Sequence, residues 1–106
     1  MSKYLIQANY VGEGVKGLLK DGGSARKAEV EKLGNSLGGS LESMYFAFGE
    51  TDVFMIVDMP DNASMAAVAL IASSSGAVTV KTTVLMTPEE VDEAAKKTPV
   101  YTPPGQ

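Results

Sequence analysis

Few side chains in this sequence could do chemistry. They are Arg26, Lys81, Asp52 and Tyr45, joined by the amides of Gln7 and Asn9. The 106 residues include no His and no Cys, which removes the commonest general base, the thiolate nucleophile and nearly every zinc or iron site. Any catalysis would run on carboxylates, Lys, Tyr or Ser, or on the substrate's own reactivity. No metal and no cofactor is expected. The acidic run Glu89, Glu90, Asp92, Glu93 opens a helix that ends in Lys96 and Lys97, so dipole complementation accounts for it.

Arg26 follows "DGGS" in the first turn of a helix. Counted back from Val30, Leu33 and Leu37, it falls on the apolar face. A cation there opposes the helix dipole, at a cost of a few tenths to about 1 kcal/mol unless something anionic compensates. Two compensations fit. One is a small anion held by Gly23, Ser24 and Arg26, since a helix N-terminus offers free N–H donors. The other, which the sequence favours, is an ion pair with Asp21, Glu29 or a sheet carboxylate such as Asp52 or Asp58, the stem lying over the core. "GGS" matches neither the P-loop nor the dinucleotide fingerprint.

Asp52 closes "GETD" between two apolar runs. Its expected role is that of a turn residue accepting backbone N–H bonds; the functional alternative is a carboxylate orienting a ligand at the mouth of a sheet. Gln7, Asn9 and Lys81 are polar residues inside strands, and buried amides need partners. With Leu5 and Tyr45 in the same rows, they suit either a solvated face or a ligand-lined cavity.

These residues are positioned by a short series of elements. "KYLIQANY" alternates with the period of a strand, Tyr4, Ile6 and Ala8 on one face and Leu5, Gln7 and Asn9 on the other. The glycine-rich "VGEGVKGLLKDGG" reads as a loop with at most one helical turn around Val15 to Leu19. A helix capped by Ser24 follows, stopped by Gly38 and Gly39. Two strands, "SLESMYFAF" and "DVFMIVDM", form a hairpin. "DNASMAAVALIASSSG" is a second helix, and "AVTVKTTVLM" a fourth strand. "TPEEVDEAAKK" starts a third, short helix with Thr87, Pro88 and Glu90 in capping-box order. Residues 1–98 thus make one domain, and residues 99–106 a proline-rich tail in which Val100 and Tyr101 are expected to pack on this or a neighbouring subunit. The order β-α-β-β-α-β predicts an α+β, ferredoxin-like domain: a four-stranded antiparallel sheet with helices on one face.

Composition narrows the partners. A net charge of −4 and pI near 4.7 argue against nucleic acid, which needs clustered Lys and Arg. The longest apolar stretch, Met65 to Ala72, is too short to span a bilayer. Met1-Ser2-Lys3 runs directly into a strand pattern, so a cytoplasmic location is expected. The second helix offers no charge from Met65 to Ser75, and Val68, Leu70 and Ile71 cannot all face one core. Self-association, as a homodimer or higher closed oligomer, is expected.

Over nearly the whole chain, "YLIQANY", "GLLKDGGSARKAEVEKLGNSLGGSLESMYFAFGETDVFMIVDMPDN" and "KTTVLMTPEEVDEAAKK" resemble the GYD domain family. The Gly-x-Tyr-Asp segment that names that family has counterparts in Gly49 and Asp52, with Thr51 in place of the Tyr. The resemblance implies a ferredoxin-like fold assembled as a dimeric α/β barrel, and it carries no settled biochemical function. A homo-oligomeric module that binds a small anionic or organic ligand is the first expectation. The alternative is a cofactor-free oxygenase or isomerase of the dimeric-barrel class using Asp52, Lys81 or Tyr45.

Overall fold

A computed structural model describes residues 1–47 and 49–106 of the chain. Its elements are β1 (Ser2–Tyr10), α1 (Glu13–Asp21), α2 (Gly23–Asn35), β2 (Ser40–Phe46), β3 (Val53–Met59), α3 (Asn62–Ser74), β4 (Val78–Leu85) and α4 (Pro88–Lys96). The four strands form one antiparallel sheet in the order β2-β3-β1-β4. This is the ferredoxin-like arrangement, with β1 and β3 central. The strand expected over Ser40–Phe48 ends at Phe46; Phe48 lies outside the described residues.

Strand alternation divides the sheet into two faces. Tyr4, Ile6 and Ala8 of β1, with Val53, Val57 and Met59 of β3, are buried under the helices together with Met65 of α3. The Tyr4 hydroxyl donates to the Asn62 side chain at the start of α3, so the buried phenol keeps a partner. The other face carries Lys3, Leu5, Gln7, Phe54 and Ile56, none of them fully buried, and it is the open face of the sheet.

The glycine-rich segment is a helix and not a loop, which corrects the sequence expectation. Each interior glycine costs up to about 1 kcal/mol relative to alanine, but one of them, Gly14, is at a close contact. Gly14 sits so close to the Ala77 carbonyl that a β-carbon would collide with it. That carbonyl also accepts the Val11 N–H at 2.9 Å. Bare backbone therefore lets α1 dock on the α3–β4 turn, and tertiary contact outweighs propensity. Gly22 (φ +83°) separates α1 from α2, accepting the Arg26 N–H at 3.3 Å. Ser24 is consequently inside α2 and not its cap; Gly22 holds that position without a side-chain bond.

The other helix ends form as their residues dictate. Asp61 Oδ1 accepts the Ser64 N–H at 2.7 Å to start α3. Thr87 and Glu90 exchange bonds of 3.1 Å in a capping box at the start of α4. Every residue of α4 is exposed. Tyr101 is 71% exposed, so the tail does not pack on its own body as one of the two expectations had it. Among the described residues, no helix is long and apolar enough to cross a membrane.

Candidate functional site

The candidate residues fall into three groups on different parts of the sheet. The first is a row across the open face. Cross-strand partners share a face, and the registers align Tyr45 with Phe54, Phe54 with Gln7, and Gln7 with Lys81. Gln7, Tyr45 and Lys81 are thus neighbours in one line, with Phe54 between Tyr45 and Gln7. Tyr45 is 73% exposed and Phe54 37%. The adjoining row, Ser43, Ile56, Leu5 and Thr83, is mostly apolar at its centre.

Beyond it lies a charged cluster that the sequence reading missed. Lys3 Nζ donates to Glu42 Oε1 at 2.6 Å and to Asp58 Oδ1 at 3.0 Å. These two carboxylates, Glu42 first, raise the Lys3 pKa. Glu42 is the extra residue of a β-bulge between Leu41 and Ser43, and bulges re-aim side chains in this way. Nothing in the sequence pattern marks that bulge.

The second group is Asn9 with Asp52. The Asp52 N–H donates to Asn9 Oδ1 at 2.8 Å and to the Ala8 carbonyl at 3.1 Å. Asp52 Oδ2 accepts the Tyr10 N–H at 3.0 Å, and its carbonyl accepts the Ala47 N–H at 2.8 Å. Both side chains are committed to holding the hairpin against the end of β1. Asp52 acts on the neighbouring strand and not merely within its own turn.

The third group surrounds Arg26 on the helical side. Gly23 packs against the Phe46 ring and Ser24 is exposed; neither lines the cavities beside Arg26. Arg26 lines two. One is a hollow of about 830 Å³ where α1, the start of α2 and the end of α3 meet. The other is a slot of about 80 Å³ between α2 and α3, floored by the central strands. Among the described residues, no carboxylate lies within 4.0 Å of the Arg26 guanidinium. The expected ion pair is therefore not formed: Asp58 is engaged by Lys3, and Asp52 by the Tyr10 backbone. Tyr10 stands beside Arg26. Burial raises the Tyr10 phenol above its ordinary pKa, Arg26 pulls it back, and Asp52 raises it again; the net is upward, so at neutral pH the hydroxyl is protonated and able to donate.

The sequence matches the GYD domain over residues 4–95. The chain belongs to the GYD domain family. Within this GYD protein, Asp52 of the name-giving segment is a structural clasp, and Thr51, where the segment has Tyr, is half-buried. No curated protein matches the sequence. The structure is similar, at 18% identity and a TM-score of 0.41, to the crystal structure of NE2512, a protein of unknown function from Nitrosomonas europaea. The match covers 94% of this chain and 96% of that one. Among the described residues, no group of three or more His, Cys, Asp or Glu side chains converges.

Proposed function

We propose that this GYD protein is a non-catalytic or regulatory small-molecule binding module that works as a homo-oligomer. One observation carries the ligand: Arg26 lines a hollow of about 830 Å³ with no carboxylate partner. That volume is in the range of small-molecule sites. An anion beside Arg26 would supply the charge its position near a helix N-terminus otherwise lacks.

Self-association is supported by the open face, where Leu5, Ile56 and Phe54 lie together, and by α3, whose Leu70 and Ile71 are 71% and 60% exposed. Apolar surface of this kind on both sides of a small domain favours a covering partner. In a face-to-face pair, the row Tyr45, Phe54, Gln7 and Lys81 would line the space between two sheets. That row is also the specific support for the second reading, a cofactor-free enzyme, because Lys81 and Tyr45 could act there as acid or base.

Titration with acetate and inorganic phosphate, followed by amide chemical shifts, tests the first reading. Shifts centred on Arg26 and the start of α2, lost in Arg26→Ala, are expected. Shifts confined to Gln7 and Lys81, or turnover on a panel of small carbonyl compounds, would favour the second.

A further inference from the structure

The two cavities on the helical side adjoin, sharing part of their lining, and the rest of their linings differ. Glu13, Lys20, Asp21 and Glu29 all line the wide hollow. The slot is walled by Val30, Leu33, Val68 and Ala69 over a floor that includes Ile6 and Met55. Among the described residues, Arg26 and Tyr10 contribute its only polar side chains. Both residues line both spaces, as do Leu33, Ala72 and Val78. They stand where a wet entrance narrows into an apolar recess.

The recess follows from how the helices sit. α2 lies over edge strand β2, while α3 lies over β4 and β3. The slot lies between the two helices above the central strands, and small residues such as Ala8, Gly34, Ala69 and Ala72 line it. A pocket with so apolar a lining takes an apolar group in preference to water. At its mouth, a guanidinium without a carboxylate partner and a protonated phenol present donors to an oxyanion. The hollow's own carboxylates, Glu13, Asp21 and Glu29, all lie beyond 4.0 Å from Arg26. They disfavour a multiply charged ligand more than a singly charged one.

Resting on the binding-module reading, we infer that the ligand is a monocarboxylate with one small apolar group, about four to six carbons or a phenyl ring. Its carboxylate meets the Arg26 guanidinium and the Tyr10 hydroxyl, and its apolar group enters the slot between α2 and α3.

The test uses the full chain and four probes: acetate, isovalerate, phenylacetate and the uncharged 2-phenylethanol, each titrated while amide shifts are recorded. Isovalerate and phenylacetate should bind at least about tenfold more tightly than acetate, from the apolar surface they bury. They should shift Ala8, Val30 and Ala69 as well as Arg26. 2-Phenylethanol should bind at least about tenfold more weakly than phenylacetate. Arg26→Gln should abolish that difference. Ala69→Leu, which fills the slot, should weaken phenylacetate while leaving acetate unchanged, with a far-ultraviolet spectrum confirming the fold. Equal binding of acetate and phenylacetate at Arg26 would overturn the ligand class and leave the anion site standing. Equal binding of phenylacetate and 2-phenylethanol would remove Arg26 from recognition. Absence of any shift with all four probes would overturn the ligand class and the binding-module reading together.

Discussion

Asn9, near the end of one strand, and Asp52, just before a hairpin strand, are joined by a hydrogen bond that clasps the two strands together. The Asp52 N–H reaches Asn9 Oδ1 at 2.8 Å, and Asp52 Oδ2 takes the N–H of Tyr10, the residue after Asn9, at 3.0 Å. This arrangement sets the position of Tyr10, and with it the mouth of the cavity. Asp52→Ala leaves the Tyr10 N–H without its acceptor and should cost about 1–3 kcal/mol. Asp52→Asn retains an acceptor oxygen and should cost under about 1 kcal/mol. Urea denaturation of both variants checks this. Equal losses would mean that the negative charge, and not the hydrogen bond, is what matters.

Gly14 marks a close approach between α1 and the turn that joins α3 to β4. A methyl group there meets the Ala77 carbonyl backbone, which has no flexible end to yield. Gly14→Ala should therefore destabilise by about 1–3 kcal/mol despite alanine's better helix propensity. Gly17→Ala is the control, since nothing lies within 4 Å of its added carbon; it should be neutral or stabilising. Thermal melts should place Gly14→Ala below the parent and Gly17→Ala at or above it.

Asp61 gives α3 a pH-dependent start. The Ser64 backbone N–H, and then the Ser64 side chain, hold its carboxyl below the ordinary carboxylate value. A depressed folded-state pKa stabilises the fold above the unfolded value and loses that contribution as pH falls through the folded one. Stability should thus decline below about pH 4. Asp61→Asn, still a good cap, should show a shallower decline over the same window. Parallel acid titrations followed by circular dichroism would refute the assignment to Asp61.

Self-association through the open face makes its own prediction. Ile56 pairs with Leu5 at the centre of that face, so Ile56→Asp should yield a folded monomer where the parent sediments as a dimer or larger closed oligomer at micromolar concentration. Leu70→Asp asks the same of α3. A parent that sediments as a clean monomer would remove the oligomer from the proposed function. Docking of the tail on a neighbouring copy is tested alongside: Val100 and Tyr101 should be less mobile than Gln106 by heteronuclear relaxation.

Much of this molecule was legible along the chain because its signals are local. Alternation in Lys3 to Tyr10 assigns Tyr4, Ile6 and Ala8 to one side, since successive strand side chains point oppositely whatever lies around them. The cap at Asp61 and the box at Thr87 and Glu90 close within three residues. What depended on tertiary structure involves residues far apart. Glycine count made α1 look like a loop, and only the docking of Gly14 against Ala77 shows why a helix forms. The bulge at Glu42 shows only in the pairing of β2 with β3, where Leu41 faces Val57 and Ser43 faces Ile56, and the partner it gives Glu42 is Lys3, 39 positions away. The line from Tyr45 through Phe54 and Gln7 to Lys81 is a product of register, which no single strand contains. Arg26 was ambiguous for the same reason. Its helical face could be counted from Val30 and Leu33, but whether a carboxylate or a cavity stood opposite depended on how far apart two helices came to rest on a shared sheet.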